Sequence, residues 1–335
     1  MKQPLSKSKY VHRDGAGDYH LAESIGPIAD VHSHLALTYV PTGRVDLEAE
    51  AQAQLYLDPE LPFDLEPYMN TNFDDSSMKA MKTDLSVGSL AAGGMRATHT
   101  GPALERSMRA LGIERSVILA IDLPMTTSNT DAYLTVSETR DSLVPAAAIH
   151  PLSFGAERAL ERAVARGARA YKMHPAVQQM APDHPKAMRM YELCGRLGVP
   201  VVWHCGPVGI VGDRADARCQ LKHYWAPVHE LKDTTFILGH SGALQYRMAM
   251  KLPNMYENVY VELSCQGLGA MREIIAGVPG DRILNGSDWP FYHQAVSVVK
   301  ILHATEHLSG PERERTRHQI LWENTSRVFG FDTAA

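Results

Sequence analysis

Eight short apolar segments, each ending in a polar or small residue, constrain the fold of this 335-residue chain more than any other feature. They occupy residues 28–35, 117–123, 144–150, 168–174, 199–204, 235–240, 259–264 and 282–288. From the second onward they start 23 to 36 residues apart, the length of one strand and one helix. Apolar strands alternating with helices indicate a parallel sheet covered on both faces. Eight units predict a (β/α)8 TIM barrel, whereas a doubly wound open sheet of six strands would leave two units without a place.

The segments between the predicted strands have a composition typical of helices. Three predicted helices each end at a glycine, at 102–111 before Gly112, 155–166 before Gly167 and 183–197 before Gly198. Glycine is favoured there because it adopts the left-handed conformation that closes a helix. Asp183 is the expected N-cap of the third of these helices. One or two further helices are predicted over residues 310–330.

The stretch from about residue 36 to residue 101 interrupts this rhythm between the first strand and the next helix. It is rich in Asp, Met, Pro and Gly. Long insertions in compact domains are usually lids or binding loops, and a surface excursion or an oligomer contact is the alternative. We therefore expect one domain over residues 1–335, with the barrel at about 28–330 and the insertion at about 36–101.

Charge and cysteine content exclude several classes of protein. The chain has 33 Lys and Arg against 38 Asp and Glu, a formal charge of −5, which argues against nucleic-acid and membrane-surface binding. Its four cysteines form no C-x-x-C pair, the first twenty residues lack an apolar core, and no run of about eighteen apolar residues occurs. These features predict a cytoplasmic protein with reduced thiols. We expect a small-molecule substrate as its partner. We also expect the chain to form a homo-oligomer, namely a dimer.

Sixteen histidines are a large number for such a chain, and several fall at strand ends. His32 and His34 end the first strand two residues apart, so their side chains share a face with Cα atoms about 6.6 Å apart. Two imidazoles in that arrangement can converge on one ion. A single histidine on a strand is more often a hydrogen-bonded core residue, so the pair carries more weight than either member.

Other strands of the predicted barrel end in chemically similar residues. The carboxyl ends of barrel strands surround the active site in this fold. The residues in question are Lys172 and His174 on the fourth strand, His204 on the fifth, His240 on the sixth and Asp288 on the eighth. Burying them unpaired in one barrel mouth is costly, whereas a divalent cation offsets that cost by binding neutral imidazoles and a carboxylate.

At these residues the chain resembles the amidohydrolase superfamily, and within it the amidohydrolase-2 (ACMSD-like) metal-dependent hydrolases. The matching pieces run in the family's order from about residue 28 to residue 330. They are DVHSH at 30–34, YKMHP at 171–175, VWHCG at 202–206, LGHSG at 238–242, VYVEL at 259–263, GSDWP at 286–290 and ENTSR at 323–327. Nothing in residues 36–110 matches a known pattern.

The resemblance implies a barrel with a metal at its mouth, held by His32, His34, His204 and Asp288. His240 is implied as a second-metal ligand or as an acid/base beside the metal. Lys172 is implied either as a carbamylated lysine bridging two metals or as a substrate contact. We favour one ion, with two as the alternative. Zinc is the expected metal, and Mn, Fe or Co also suit nitrogen and oxygen ligands.

These residues predict a metal-dependent hydrolase of a small carbonyl compound, namely an amide, a lactone or a cyclic ester. Asp288 is the expected proton acceptor, His240 the group that polarises the carbonyl, and His174 a substrate contact. The family's decarboxylases often carry Glu where His32 stands, which favours hydrolysis. A lyase, either a non-oxidative decarboxylase or a hydratase, is the alternative. A metal-free lactonase or a binding protein on a degenerate barrel is the third hypothesis.

Three further residues allow two interpretations each. Asp30 either orients a ligand imidazole or belongs to the barrel core. His150 either contacts substrate or caps its loop. Arg96 in the insertion either binds a substrate carboxylate or is a solvated surface arginine.

Overall fold

The computed structural model describes residues 2–210 and 212–331, and its main sheet is a ring of parallel strands. A small antiparallel hairpin precedes it, made of β1 (Val11–Arg13) and β2 (Tyr19–Leu21). The barrel strands are β3 (Ile28–Ser33), β4 (Ile113–Leu119), β5 (Leu143–Ala147), β6 (Ala170–Met173), β7 (Val201–His204), β8 (Phe236–Gly239), β9 (Val259–Glu262) and β10 (Ile283–Leu284). They pair in sequence order from β3 to β10. The eight predicted strands are thus confirmed. Seven are shorter than their apolar segments, and β4 has the predicted length but begins four residues earlier.

The first and last barrel strands approach each other and bring the ring close to closure. The amide of Val31 donates to the Asn285 carbonyl at 3.0 Å, and the amide of His34 donates to the Trp289 carbonyl at 2.6 Å. A parallel bridge joins Ser33 to Trp289. An open sheet would leave these two edges apart, so the barrel prediction is correct.

Helices alternate with the strands on the outside of the ring. Those with predicted counterparts are α2 (Gly101–Leu111), α4 (Ala156–Ala165), α5 (Pro185–Leu197), α12 (Gly310–His318) and α13 (Asn324–Phe329). The others are α1 (Asp75–Leu85), α3 (Asn129–Ser137), α6 (Asp213–Arg218), α7 (Trp225–Glu230), α8 (Tyr246–Ala249), α9 (Lys251–Met255), α10 (Leu268–Gly277) and α11 (Gln294–Ala304). Within the described residues, no helix is long and apolar enough to cross a membrane.

The predicted stop of α5 is confirmed, but its predicted start is wrong. Gly198 follows α5 with a φ of 67°. The N-cap is His184, whose ring nitrogen accepts from the Lys186 amide, and not Asp183. The carboxylate of Asp183 instead lies 2.8 Å from Nδ1 of His223. The side chain that the local sequence predicts as the helix cap is therefore paired with a residue forty positions away.

The barrel interior is filled by small and branched side chains. One buried cluster consists of residues from seven of the strands together with a side chain of α13, namely Val31, Val117, Leu119, Val144, Ala146, Ala170, Val202, Ile237, Leu284 and Phe329. A second, larger apolar cluster lies between the strands and the surrounding helices. This packing makes the barrel a solid support for the polar residues at its carboxyl end.

The insertion is held in place by a buried arginine. Arg96 is 1% exposed and its guanidinium donates to the carbonyls of Leu37 and Gly43, at 3.0 and 2.6 Å, and of Ala91. Neither interpretation of Arg96 from sequence is correct, because it binds backbone oxygens and is shielded from solvent. The guanidinium also donates to the carbonyl of Gly88 and the hydroxyl of Thr38, both at 3.4 Å, so five contacts fix the parts of the insertion outside α1.

Candidate metal centre

A local irregularity in β3 separates Asp30 from the two histidines of the DVHSH segment, which lie at the barrel mouth. Asp30 pairs with Ser116 and Ser33 pairs with Ile118, so three steps along β3 match two along β4. Such a bulge changes which face a side chain occupies. His32 and His34 both border the cavity at the carboxyl end of the barrel. Their ring centroids are 5.2 Å apart.

Beyond this irregularity, the side chain of Asp30 is turned away from the two imidazoles. Its carboxylate accepts from the hydroxyls of Ser33 and Ser287, at 2.9 and 2.6 Å, and from the side-chain amide of Gln294 on α11 at 2.8 Å. It also accepts from the backbone amide of His32, at 3.1 Å, but not from the imidazole. Asp30 therefore ties β3 to the segment after β10, and it does not orient a ligand ring.

Asp288 completes a three-residue group with the two histidines. Its Oδ1 lies 3.6 Å from Nε2 of His32 and 3.5 Å from Nε2 of His34. All three residues are buried, and their ligand atoms lie within 4.8 Å of one another. Asp288 has a φ of 64°, and its amide donates to the carbonyl of His32 at 2.7 Å. Left-handed backbone at a non-glycine residue costs energy and recurs at functional sites.

Hydrogen bonds to the far nitrogens place the Nε2 lone pairs of both rings on the side of Asp288. Nδ1 of His34 donates to the carbonyl of Leu119 at 2.7 Å. Nδ1 of His32 donates to the carboxylate of Glu262 at 2.8 Å. An imidazole that donates through one nitrogen presents a lone pair on the other, which is the usual arrangement at metal sites. The tautomer of each ring is thus set for binding a cation through Nε2.

Glu262 is a residue that the sequence analysis did not assign to the site. It is fully buried at the end of β9, where it also accepts from the hydroxyl and the amide of Ser264, both at 2.7 Å, and from the amide of His240 at 2.5 Å. A sequence signal was available, since Glu262 is the one charged residue in the predicted strand over 259–264. Its hydrogen bond to Nδ1 holds the His32 ring in its orientation.

His204 and His240 lie side by side next to this group. Nδ1 of His204 and Nε2 of His240 are 3.1 Å apart, and Nδ1 of His240 lies 2.7 Å from the hydroxyl of Ser264. A separation of 3.1 Å suits a shared proton and also approaches the roughly 3.3 Å between two nitrogens bound to one tetrahedral ion. Nε2 of His204 is buried and has no hydrogen-bond partner among the described residues.

His174 and Lys172 occupy the neighbouring strand end, as predicted. The ring of His174 stacks on that of His204, with centroids 4.0 Å apart. Nζ of Lys172 lies 3.2 Å from Nε2 of His32, and burial lowers the pKa of this lysine to about 8. A lowered pKa increases the fraction of neutral amine, the form that a carbamylated lysine arises from. His150 instead contacts the carbonyl of Gln178 at 2.9 Å and caps its loop.

Burial favours the neutral imidazole at four histidines of the cluster. Burial, with a further contribution from the Lys172 charge, lowers the pKa of His204 to about 3. Burial also lowers the pKa of His32, His174 and His240 well below the ordinary value. Neutral nitrogens bind divalent cations. Together with the unpartnered Nε2 of His204, this makes the donor set fit a divalent metal.

A cavity of about 510 Å³ lies over these residues. The barrel contributes the histidines, Asp288, Cys265, Ile121 and Phe291, and the insertion contributes Leu37, Tyr39, Tyr68, Asn70, Met81, Lys82, Leu85 and Ser86. Lys82 is the sole lysine or arginine among the described lining residues. The insertion thus forms one wall of the cavity, a contribution that sequence reasoning could not assign to particular residues.

Comparison with known proteins points to one family. The sequence profile described as "Amidohydrolase" matches residues 29–331. No curated protein matches the chain.

Solved structures share the fold at low sequence identity. An uncharacterised TIM-barrel protein from Bordetella bronchiseptica has a TM-score of 0.63 at 14% identity, with 91% of this chain and 99% of that chain covered. A putative 2-pyrone-4,6-dicarboxylic acid hydrolase from Pseudomonas putida has a TM-score of 0.58 at 15% identity, with 91% and 98% covered. 5-Carboxyvanillate decarboxylase from Novosphingobium aromaticivorans, complexed with manganese and a nitrobenzoic acid, has a TM-score of 0.57 at 13% identity, with 80% and 99% covered.

Proposed function

The chain belongs to the amidohydrolase family, and from this premise we propose that it is a metal-dependent hydrolase of a small cyclic carbonyl compound, such as a lactone, a cyclic ester or a cyclic amide. The observation that carries the proposal is the buried group of His32, His34 and Asp288, whose ligand atoms lie within 4.8 Å of one another under a cavity of about 510 Å³. Fixed tautomers at both histidines support the same conclusion.

A divalent ion bound here supplies Lewis acidity and lowers the pKa of a water molecule from 15.7 to about 7. His32 and His34 would hold it through Nε2 and Asp288 through Oδ1, with His204 contributing its buried ring. Zinc is the proposed metal, and manganese is the alternative. We propose one firmly held ion, since the three-residue group needs no lysine carbamate to be complete.

The protein's own groups can move the protons that hydrolysis requires. The carboxylate of Asp288 borders the cavity and can accept a proton and return it to the leaving group. His240 also borders the cavity, and its Nδ1 donates to the hydroxyl of Ser264 at 2.7 Å, which leaves Nε2 bare. This nitrogen can take up a proton and, once protonated, donate a hydrogen bond to a carbonyl oxygen. His174 borders the same space, and we propose that it contacts substrate. Nζ of Lys172 lies 3.2 Å from Nε2 of His32, and an uncarbamylated Lys172 is proposed as a second substrate contact.

The shape and charge of the cavity narrow the proposed substrate. Its volume of about 510 Å³ lies in the range of small-molecule sites, and aliphatic or aromatic side chains from both the barrel and the insertion line it. With Lys82 as the sole lysine or arginine of the described lining, a compound with at most one carboxylate fits better than a dicarboxylate. A ring with one polar reacting group suits this lining.

Non-oxidative decarboxylation is the second candidate. The apolar walls would suit an aromatic acid, and one of the structural neighbours is a decarboxylase with manganese and an aromatic acid in its structure. In that case Asp288 would deliver a proton to the ring carbon and not to a leaving oxygen. His32, where decarboxylases of the family often carry Glu, favours hydrolysis.

The test is a substrate panel assayed with the zinc-loaded and the manganese-loaded protein. Aryl lactones and cyclic amides are compared with hydroxybenzoic acids in ¹⁸O-labelled water. Hydrolysis predicts one ¹⁸O atom in the ring-opened product and no CO₂. Release of CO₂ from the benzoic acids alone would decide for the lyase, and turnover that persists without metal would overturn both proposals.

A further inference from the structure

Cys265 lies on the cavity wall beside Asp288, where sequence reasoning found nothing to suggest a reactive thiol. Its Sγ is 3.2 Å from Oδ2 of Asp288, and the residue is 3% exposed. The backbone of Cys265 has a φ of 62°. Strained backbone of this kind is retained where the side chain it directs has a use.

The strained conformation is held from both sides. The amide of Met69 in the insertion donates to the carbonyl of Cys265 at 2.9 Å. Buried Lys300 on α11 donates to the carbonyl of Gln266 at 2.7 Å, and the side chain of Gln266 donates to the carbonyls of His240 and Ala243 at 2.6 and 3.0 Å. These contacts fix the thiol relative to His240 and Asp288.

The two oxygens of Asp288 face different groups. Oδ1 faces Nε2 of His32 and of His34, whereas Oδ2 faces Sγ of Cys265. Cys265, His240 and Asp288 form a second buried group, with ligand atoms within 4.8 Å of one another. A sulfur and an oxygen on one tetrahedral zinc ion lie about 3.5 Å apart, close to the separation found here. The carboxylate can therefore serve a cation on either side.

An unpartnered ring nitrogen lies next to this second group. Nδ1 of His204 is 3.1 Å from Nε2 of His240, and Nε2 of His204 is buried without a partner among the described residues. An apolar wall would not need an imidazole with a bare nitrogen, because a buried polar atom without a partner is destabilising. The bare nitrogen therefore points to a cation in the cavity that both groups border.

We propose that Cys265 binds metal as a thiolate, together with His240 and Asp288, in a second, exchangeable subsite that lies beside the firmly held ion and selects thiophilic cations. On binding, the S–H bond breaks, its proton leaves to solvent and the sulfur keeps the electron pair; no redox change takes place. Thiolate ligands favour Zn²⁺, Cd²⁺ and Co²⁺ over Mn²⁺ and Mg²⁺. The inference rests on the proposed metal-dependent function and sharpens it, because it explains how the protein would choose its metal.

The test is a Co²⁺ titration of the full-length, metal-free protein, followed by absorption spectroscopy. A thiolate ligand gives a sulfur-to-cobalt charge-transfer band in the near ultraviolet. We expect this band in the parent protein and its loss in Cys265→Ser, which still binds Co²⁺ at the His32 and His34 side. Cys194→Ala is the matched control, because that buried cysteine lies on α5 and should leave the band unchanged.

The outcomes separate this inference from the proposed function. Bound Co²⁺ without a charge-transfer band, or a band that survives in Cys265→Ser, would overturn the thiolate ligand and leave the metal centre intact. No binding of Co²⁺ by the folded parent protein would overturn the metal-dependent function as well. A Cys265→Ser protein with its Zn²⁺ over Mn²⁺ preference reduced at least tenfold would support the proposal independently of spectroscopy.

Discussion

Glu262 and His32 are joined by a hydrogen bond of 2.8 Å between Oε1 and Nδ1, and both side chains are at most 1% exposed. The contact fixes the tautomer of His32 and directs Nε2 toward Asp288 and Lys172. The same oxygen accepts from Ser264 and from the amide of His240, so one carboxylate supports two strand ends. Loss of the Glu262 carboxylate should disturb the group of His32, His34 and Asp288 more than the barrel.

Glu262→Gln should weaken divalent metal binding by about 10- to 100-fold, the usual effect of removing a carboxylate behind a ligand histidine. The glutamine amide would face the amide of Ser264, which now donates to Oε2 at 2.7 Å. The measurement is competition for Zn²⁺ with a chromogenic chelator. Glu230→Gln, at an exposed position on α7, is the control. Equal affinities in both variants would show that Glu262 is not a support of the site.

Gly286→Ala should destabilise the protein and loosen the same support. A Cβ at this position would lie 2.2 Å from Oε2 of Glu262 and 3.0 Å from Cβ of His32. Overpacking of this kind costs about 1–3 kcal/mol. The free energy of unfolding in urea measures it. Gly269→Ala on α10 meets nothing within 4 Å and should be stabilising by about 0.5–1 kcal/mol. A neutral Gly286→Ala would contradict the proposed close approach.

Asp288→Asn should reduce kcat/KM on any substrate found in the panel by about 10²- to 10⁴-fold, the range expected for loss of an acid/base group. The fold should persist, because the backbone contact of Asp288 with His32 does not involve the carboxylate. Steady-state kinetics measure the effect, and thermal unfolding checks the fold. Activity within threefold of the parent protein would refute the role of Asp288.

His99 should make the protein less stable in mild acid. Burial lowers the pKa of His99 to about 4, and its Nε2 donates to the carbonyl of Gln54 at 2.8 Å. Since the unfolded chain takes up this proton near pH 6.5 and the folded chain near pH 4, the stabilisation is complete above pH 6.5 and is lost as the pH falls toward 4.

His99→Gln should therefore flatten the pH dependence of stability. Between pH 7 and pH 5 the free energy of unfolding of the parent protein should fall by about 1–2 kcal/mol more than that of the variant. Urea titrations at the two pH values give this difference. Other histidines titrate in both proteins, so the difference between the two isolates His99. Parallel pH profiles would contradict the assignment.

The barrel and most of the polar cluster were predictable because they depend on local repetition. Apolar segments at regular intervals specify strands of a parallel sheet, and parallel strands bring their carboxyl ends together wherever they lie in the sequence. His32, His34, His204, His240 and Asp288 converge for that reason. Because alternate residues of a strand point to opposite faces, the positions of these residues along their strands were sufficient to predict that they point into the barrel.

Features that depend on contacts between distant segments were not predictable. The bulge in β3 moves Asp30 away from the imidazoles, and no residue in 30–34 signals it. Arg96 binds carbonyls of Leu37 and Gly43, more than fifty residues earlier in the chain. Tyr68, Asn70 and Lys82 reach the cavity from a segment with little periodicity, so their position follows from tertiary packing alone.

The metal content of the protein tests the central claim most directly. The protein is purified without chelator, dialysed against metal-free buffer and analysed for divalent metals by elemental analysis, alongside a His32→Ala, His34→Ala double variant. We predict one bound ion per chain in the parent protein and less than a tenth of that in the variant. A folded parent protein that holds no stoichiometric metal, even after incubation with Zn²⁺ or Mn²⁺, would contradict the claim.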